Sequence, residues 1–170
     1  MWHCNVRKRD NGFTLIEMLV TVIIVGVIGA IATPSVVGMW NRYTIDEGLR
    51  QIEGAIKEAQ RQAIRQGKLC RVNIDPNTNT ITGNPTDCLL SVREINDDID
   101  IRTNLPGAIP NISFSRKGST TNSGTIVVSS DYTDNQKCFV ISLGIGITRT
   151  SNYTGSKTGS VSATNCQPSN

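Results

Sequence analysis

The amino-acid sequence predicts an α+β fold in which one long N-terminal helix packs on a small antiparallel β-sheet domain. Three features carry this prediction. Residues 13–33 form an apolar run with a single charge, Glu17. Residues 34–67 repeat apolar side chains at helical spacing, and residues 68–170 change to short segments of alternating polarity. One long helix followed by several short strands is typical of an α+β domain whose sheet covers the apolar face of the helix.

The apolar run is long enough for a transmembrane helix. Its 21 residues would extend about 31 Å as a helix, which matches the hydrocarbon thickness of a bilayer. The preceding Arg7, Lys8 and Arg9 favour a cytoplasmic N-terminus and a C-terminus outside the cytoplasm. A carboxylate such as Glu17 costs roughly 2.5 to 3.5 kcal/mol inside a membrane, so its presence implies a compensating partner.

The second part of the helix is predicted to be amphipathic. Pro34 follows the apolar run, and a proline inside a helix removes one backbone hydrogen bond, so we expect a kink or a local break near residues 29–34. Gly67 is a plausible residue to end the helix. The apolar positions recur at intervals of three and four: Leu49, Ile52, Ile56, Ala59 and Ala63.

Beyond Gly67 the alternating pattern predicts short strands separated by turns. The predicted strands cover residues 69–74, 80–82, 89–95, 99–103, 112–115, 125–129, 138–143 and 145–150. The last stretch, residues 151–170, is rich in Ser, Thr, Gly and Asn and is predicted to be flexible unless Cys166 ties it to the sheet.

Cysteine usage indicates an oxidising compartment. Apart from Cys4, the cysteines are Cys70, Cys88, Cys138 and Cys166, and no two of them have the CxxC spacing of a zinc or redox site. We expect two structural disulfides, with four buried thiols as the alternative. Of the three connectivities, Cys70–Cys88 and Cys138–Cys166 is favoured because each closes a short local loop.

The sequence gives little support for catalysis. Its one histidine, His3, lies in the N-terminal basic segment, and no phosphate-binding loop, HExxH motif or EF-hand loop occurs. Asp97, Asp98 and Asp100 could coordinate Ca²⁺, but a solvated loop before a strand is the favoured interpretation. We therefore expect a protein that is not an enzyme and has no cofactor or metal.

The first residues carry a resemblance to a known family. The basic leader, Gly12 and the run from Phe13 to Glu17 resemble the class III signal of type IV pilins and of the pseudopilins of type II secretion. The resemblance implies that residues 1–12 are a leader and that a membrane-embedded prepilin peptidase cuts between Gly12 and Phe13 and methylates the new amine of Phe13. It also implies that Glu17 neutralises this amine on an adjacent subunit in a filament core, and that Pro34 weakens the helix during packing.

The rest of the chain is similar to minor pseudopilins of the GspH/FimT type. The similar segments are residues 49–67, 112–118, 125–129 and 138–142. This resemblance implies a pilin fold and a single-pass protein of the bacterial inner membrane that then enters a pilus or a periplasmic pseudopilus. The implied partners are the membrane, the prepilin peptidase, an inner-membrane assembly platform and other pilins.

The charge pattern gives only local support for DNA binding. The net charge of +3 comes mostly from the leader. FimT-like proteins carry a Gly-Arg-x-Arg element associated with DNA, and the matching positions here are Gly146, Ile147, Thr148 and Arg149. A phosphate-binding patch would join Arg149 to four other basic residues: Arg116, Lys117, Lys137 and Lys157. Scattered solubilising charges are the favoured alternative.

These features lead to three hypotheses. The first is a minor structural subunit of a type IV pilus that acts in pilus assembly and in DNA uptake. The second is a minor pseudopilin of a type II secretion system, which uses the same signal, processing and helix. The third, of another class, is a DNA-binding module at the pilus tip.

Overall fold

The structure, a computed structural model, describes residues 12–168 and omits the side chains of residues 31–35. The predicted leader, residues 1–12, therefore lies outside the described residues except for Gly12. The chain divides into two compact units, Met1–Val37 and Gly38–Asn170.

One helix, α1 (Leu15–Gln66), spans 52 residues. It continues through Pro34, so the helix has no break near residues 29–34, while the other predicted outcome, a kink, stays a prediction. The physical reason is that a proline deletes one hydrogen bond of the backbone ladder, while the bonds on either side can still maintain helical geometry. The helix ends as predicted at Gly67, whose φ of 65° lies in the left-handed region that glycine adopts without a steric penalty.

Within the described residues, no helix combines the length and the apolarity that crossing a membrane requires.

The strands form two antiparallel sheets. The first contains β1 (Cys70–Asp75), β2 (Thr80–Asn84), β3 (Arg93–Glu94) and β5 (Asn111–Phe114) in the order β3-β2-β1-β5. The second contains β4 (Asp100–Thr103), β6 (Gly124–Ser130), β7 (Thr133–Ile141), β8 (Thr148–Tyr153) and β9 (Cys166–Gln167) in the order β4-β6-β7-β8-β9. Short 3₁₀ turns at Thr86–Cys88 and Ala163–Asn165 precede β3 and β9.

Two predicted strands begin at least three residues later in the structure than predicted, and β7, predicted from residue 138, begins five residues earlier at Thr133. The strand predicted over residues 89–95 is reduced to Arg93–Glu94, because the Leu90 amide donates to the Glu58 carboxylate on α1 at 2.7 Å instead of to a neighbouring strand. The strand predicted from residue 145 begins at Thr148. Gly144 and Gly146 have φ values of 90° and 68°, which are incompatible with a regular strand.

The predicted apolar stripe of α1 forms the centre of the main core. All five of its positions are at most 6% exposed: Leu49, Ile52, Ile56, Ala59 and Ala63. They share one cluster with residues of both sheets, including Val72 and Ile112 of the first sheet and Ile126 and Phe139 of the second. Both sheets therefore contribute to covering the same stripe, as the period of three and four required.

The opposite face of the second sheet has a smaller core of its own. Val127, Cys138, Tyr153 and Cys166 form this cluster, with Val140 and Val161 packed against it. It lies on the other side of the sheet because successive side chains of a strand alternate between the two faces. The segment 154–167, which we call the outer layer, supplies Val161 and Cys166 to this cluster.

The outer layer is held by polar side chains as well as by its cysteine. Arg102 donates to the carbonyls of Ser156 at 2.9 Å and Gly159 at 3.1 Å, and Gln136 donates to the carbonyl of Gly155 at 2.7 Å. The segment predicted to be flexible unless Cys166 tied it down is thus anchored along its length, and a segment with satisfied carbonyls can be ordered without strand pairing.

Candidate assembly segment and candidate nucleic-acid interface

The predicted cleavage bond lies in exposed, non-helical chain. Gly12, Phe13 and Thr14 precede the helix, and the side chain of Phe13 is 78% exposed. A peptide bond outside a hydrogen-bonded helix can adopt the extended form that enters a peptidase site without unfolding neighbouring structure. The bond between Gly12 and Phe13 is therefore accessible to a peptidase without unfolding of α1.

Thr14 and Glu17 form the start of the helix. Thr14 Oγ1 accepts a hydrogen bond from the Glu17 amide at 3.3 Å, so Thr14 is the N-cap and Glu17 the third helical residue. The Thr-x-x-Glu spacing is that of a capping box, a local sequence signal for the start of the helix. An acid in the first turn is also favoured by the helix dipole. Within residues 12–168, no hydrogen bond or ion pair engages the Glu17 carboxylate.

The start of α1 leaves its apolar side chains uncovered. The large apolar residues between Phe13 and Ile28 are 45% to 84% exposed. They are Phe13, Leu15, Ile16, Met18, Leu19, Val20, Val22, Ile23, Ile24, Val25, Val27 and Ile28. A helix that is apolar all round is normally covered by protein or by lipid, so this segment has the composition of an interaction surface.

The two disulfides connect the cysteines in the predicted pairs. Cys70–Cys88 closes a loop over a sequence separation of 18 and Cys138–Cys166 over a separation of 28. The first joins β1 to the segment that precedes β3, and the second joins β7 to the outer layer.

The structure does not bring the five predicted DNA-binding residues into one patch. Lys137 pairs in register with Asn152, and Arg149 pairs with Val140 three positions farther along β7. Because side chains alternate along a strand, Lys137 and Arg149 lie on opposite faces of the sheet.

Several of these cations are engaged within the chain. Lys137 Nζ lies 3.4 Å from the carboxylate of Asp46 on α1, whereas Arg149 donates to the carbonyl of Ala163 in the outer layer at 3.1 Å. Lys157 donates to the carbonyls of Ser130 and Thr133 at 3.1 and 2.9 Å. Through these contacts Lys137 binds to α1 and Arg149 binds to the outer layer. Lys157 binds to the β6–β7 turn.

Arg116 and Lys117 are placed differently. They are exposed in the tight turn that follows β5, where the Gly118 amide donates to the Ser115 carbonyl at 2.8 Å. Within the described residues neither side chain makes an ion pair. Of the five predicted cations, these two are therefore the ones open to an external partner.

The acidic residues proposed for Ca²⁺ lie on the surface. Asp97, Asp98 and Asp100 line an open depression together with Asn79 and Asp131. In the part of the chain that the structure describes, no three His, Cys, Asp or Glu side chains are arranged to hold a metal ion.

Two protein families match parts of this chain. The family described as "Prokaryotic N-terminal methylation motif" matches residues 7–33, and the family described as "Type II transport protein GspH" matches residues 49–144. A comparison with curated proteins gave no match.

Two solved structures share the fold. The minor pseudopilin EpsH from the type 2 secretion system of Vibrio cholerae is 14% identical, with a TM-score of 0.52, over 64% of this chain and 96% of that one. The type IV minor pilin FimU of Pseudomonas aeruginosa is 11% identical, with a TM-score of 0.52, over 65% of this chain and 89% of that one. At such identities the likeness concerns the fold.

The methylation motif lies where the exposed cleavage bond and the helix start were found, and the second match covers more than half of the chain, from the buried stripe of α1 to the end of β7. The chain therefore belongs to the GspH family of minor pilins and pseudopilins.

Proposed function

We propose that the protein is a minor subunit of a type IV pilus, processed between Gly12 and Phe13 and N-methylated on Phe13. A prepilin peptidase would act while the apolar N-terminal segment holds the chain in the bacterial inner membrane, with the globular unit outside the cytoplasm. An assembly platform would then transfer the subunit into the filament. The observation that carries the proposal is the exposed apolar start of α1 with one carboxylate, Glu17, that no described residue engages.

The role of Glu17 follows from the cost of an isolated charge. Packing the start of α1 among other helices removes the carboxylate from water, which is expensive unless a cation pairs with it. Cleavage creates such a cation, the new amine of Phe13. The amine of one subunit can approach Glu17 of the adjacent subunit in only one register of the two packed helices. The ion pair would therefore select the register of assembly as well as offset the desolvation.

Replacement of Glu17 by alanine tests this role. Glu17→Ala should leave cleavage after Gly12 unchanged and reduce the amount of the protein in sheared filaments by about tenfold, since one lost buried pair costs more than 1.4 kcal/mol. N-terminal sequencing reports the cleavage, and immunoblots of sheared filaments report the incorporation.

Glu94→Ala is the matched control, because Glu94 is an exposed acid on the edge strand β3. It should enter filaments at the normal level. Normal recovery of Glu17→Ala in sheared filaments would contradict the proposed role.

The alternative function is a minor pseudopilin of type II secretion, which the likeness to EpsH favours. Deletion of the gene separates the two functions. A pilus subunit should be required for twitching motility or transformation while secretion continues, whereas a pseudopilin should be required for secretion alone. Complementation with the intact chain provides the control.

The DNA-binding hypothesis now depends on Arg116 and Lys117, with Arg149 as a weaker contributor because it already binds the Ala163 carbonyl. If the protein serves DNA uptake, the full chain in detergent should shift duplex DNA at low salt, and Arg116→Ala with Lys117→Ala should weaken the shift. Binding that Arg149→Ala alone abolishes would instead favour the FimT-like site. Absence of any shift would contradict the hypothesis of a DNA-binding module.

A further inference from the structure

The loop between β7 and β8 exposes three large aliphatic side chains within five residues. This segment, which we call the aliphatic loop, alternates aliphatic residues with glycines: Leu143, Gly144, Ile145, Gly146 and Ile147. The three aliphatic side chains are 60% to 77% exposed. Single exposed apolar residues are common on protein surfaces, but a contiguous group of them marks an interaction site.

Hydrogen bonds hold the aliphatic loop in place. The Thr120 amide donates to the Gly144 carbonyl at 2.7 Å, and the Gly144 amide donates to the Thr120 carbonyl at 3.3 Å. The Ser142 amide donates to the Ile147 carbonyl at 2.9 Å, which closes the loop at its base. The exposure of the three side chains is therefore built into the fold.

The aliphatic loop lies beside the last turns of α1. A Cβ added at Gly146 would come within 3.2 Å of Gln60 Nε2, and the same nitrogen donates to the Gly118 carbonyl at 2.9 Å. A Cβ added at Gly118 would meet Ile64 Cδ1 at 2.7 Å. Ile64, which is 55% exposed, thus extends the apolar surface of the loop onto the helix.

Basic side chains surround these four aliphatic residues. Arg116 and Lys117 lie in the turn after β5, next to Gly118, whereas Arg61 and Arg65 lie three residues before Ile64 and directly after it on α1. All four cations are exposed and, within residues 12–168, make no ion pair. We call these four cations and the four aliphatic residues the docking surface.

The acids close to the docking surface are already paired. Asp87, whose carbonyl accepts from Gln66, forms an ion pair with Lys68. On α1, Glu58 lies 2.6 Å from the Arg93 guanidinium, and Glu53 lies 2.5 Å from Lys57 Nζ. These pairs leave the charge of the docking surface positive.

The composition of the docking surface determines the chemistry of its partner. An apolar centre with a charged rim is the usual anatomy of a protein interface. Duplex DNA would satisfy the cations but would place phosphates and sugars against the aliphatic side chains. The same surface on a second copy would bring like charges together, which is repulsive. The complementary partner is a protein face with an apolar centre and a rim of carboxylates.

We propose that the docking surface binds a different subunit of the same filament, through a face of that subunit that is acidic around an apolar centre. A minor subunit is present in few copies, so its neighbours in a filament are other subunits. The proposal rests on the proposed function as a filament subunit, and it adds the surface by which this subunit selects its neighbour.

Photo-cross-linking of the full chain in cells tests the contact. p-Benzoylphenylalanine in place of Ile145, which is 77% exposed, joins on illumination to C–H bonds that touch it. We expect a product with a second protein that carries its own prepilin-type signal, and mass spectrometry should find Asp or Glu in the linked peptide. The same residue in place of Ile109, which is 50% exposed before β5, is the matched control and should not give this product.

Charge reversal tests the rim of the docking surface. Arg116→Glu with Lys117→Glu should lower the yield of the product about tenfold. Replacement of the linked carboxylates of the partner by lysine should restore it. Arg42→Glu with Arg50→Glu is the matched control and should leave the yield unchanged. Both are exposed cations without an ion pair among the described residues, and Arg50 lies about 16 Å before Arg61 along α1.

A serine substitution tests the apolar centre. Ile147→Ser should lower the yield several-fold, because it removes an apolar side chain from the centre of the contact. Val92→Ser, at an aliphatic side chain that is 59% exposed outside the docking surface, should have no effect. An unchanged urea midpoint of each variant shows that a lower yield does not come from loss of the fold.

Three results would overturn the proposal: no product from position 145, a product that contains a second copy, DNA or lipid instead of another subunit, or a yield insensitive to both the charge reversal and Ile147→Ser. Normal recovery in sheared filaments without the product contradicts the docking alone. A product with a subunit of a secretion pseudopilus supports the docking and contradicts the proposed function in a type IV pilus.

Discussion

The two parts of α1 use apolar side chains in opposite ways. Between Phe13 and Ile28 every large apolar residue is exposed, whereas in the second part Leu49, Ile52 and Ile56 are at most 6% exposed. The first part is apolar on all sides, and the second carries one stripe that the two sheets cover. One helix therefore contains a segment whose partners must come from outside the chain and a segment whose partners the chain itself supplies.

Two acids on this helix, Glu17 and Glu58, show the same contrast. Glu58 is 8% exposed, lies 2.6 Å from the Arg93 guanidinium and accepts from the Leu90 amide at 2.7 Å. Glu17 is exposed and, among the described residues, its carboxylate has no partner. Glu58 is not one of the five apolar positions of the stripe, yet it is buried and holds the segment before β3 to α1.

The largest expected effect separates the two parts of the helix. Ile52→Ala should lower the free energy of unfolding of the globular unit by about 4 kcal/mol, because it leaves a cavity under both sheets. Ile23→Ala, at a side chain that is 57% exposed, should change it by less than about 0.5 kcal/mol. Urea unfolding of the full chain in detergent, followed by circular dichroism, measures both. Equal effects of the two variants on the free energy of unfolding would contradict the conclusion that the globular unit buries only the second part of α1.

An intermediate effect is expected at the two acids. Glu58→Gln should destabilise the globular unit by about 2 kcal/mol, since the largely buried Arg93 loses its charged partner and the Leu90 amide loses a strong acceptor. Glu17→Gln should leave the unfolding curve unchanged within about 0.5 kcal/mol. The same denaturation experiment compares them, and Arg93→Met should reproduce most of the loss. A stable Glu58→Gln protein would show that the buried pair does not anchor this segment.

The smallest effect concerns the first turn of α1. Thr14→Ala removes the acceptor of the Glu17 amide and should weaken the first turn by about 1 kcal/mol, while Thr14→Ser should retain the cap. Amide hydrogen exchange at residues 16–18 reports this local change, and the unfolding of the globular unit should not respond. Equal exchange rates in the alanine and serine variants would show that the side chain does not cap the helix.

Much of the fold follows from local patterns in the sequence. The stripe from Leu49 to Ala63 and its burial, the end of the helix at Gly67 and most of the strands are determined by side-chain period and by the backbone freedom of glycine. Short loop closure favoured the pairing of Cys70 with Cys88 and of Cys138 with Cys166 among three possible connectivities, and the structure confirms it. The candidate cleavage bond and Glu17 are likewise identified from one short sequence segment, residues 12–17.

Tertiary structure decided what depends on residues far apart in the chain. The strands divide into two sheets, and Arg102 and Gln136 order the outer layer through carbonyls that no composition indicates. Lys137 and Arg149 both look like surface cations in the sequence, but strand register places them on opposite faces. The sequence by itself determines which side chains are apolar, charged or free to turn, because these are local properties. Only the tertiary structure decides which of them find partners inside the chain, because a partner is set by proximity in space.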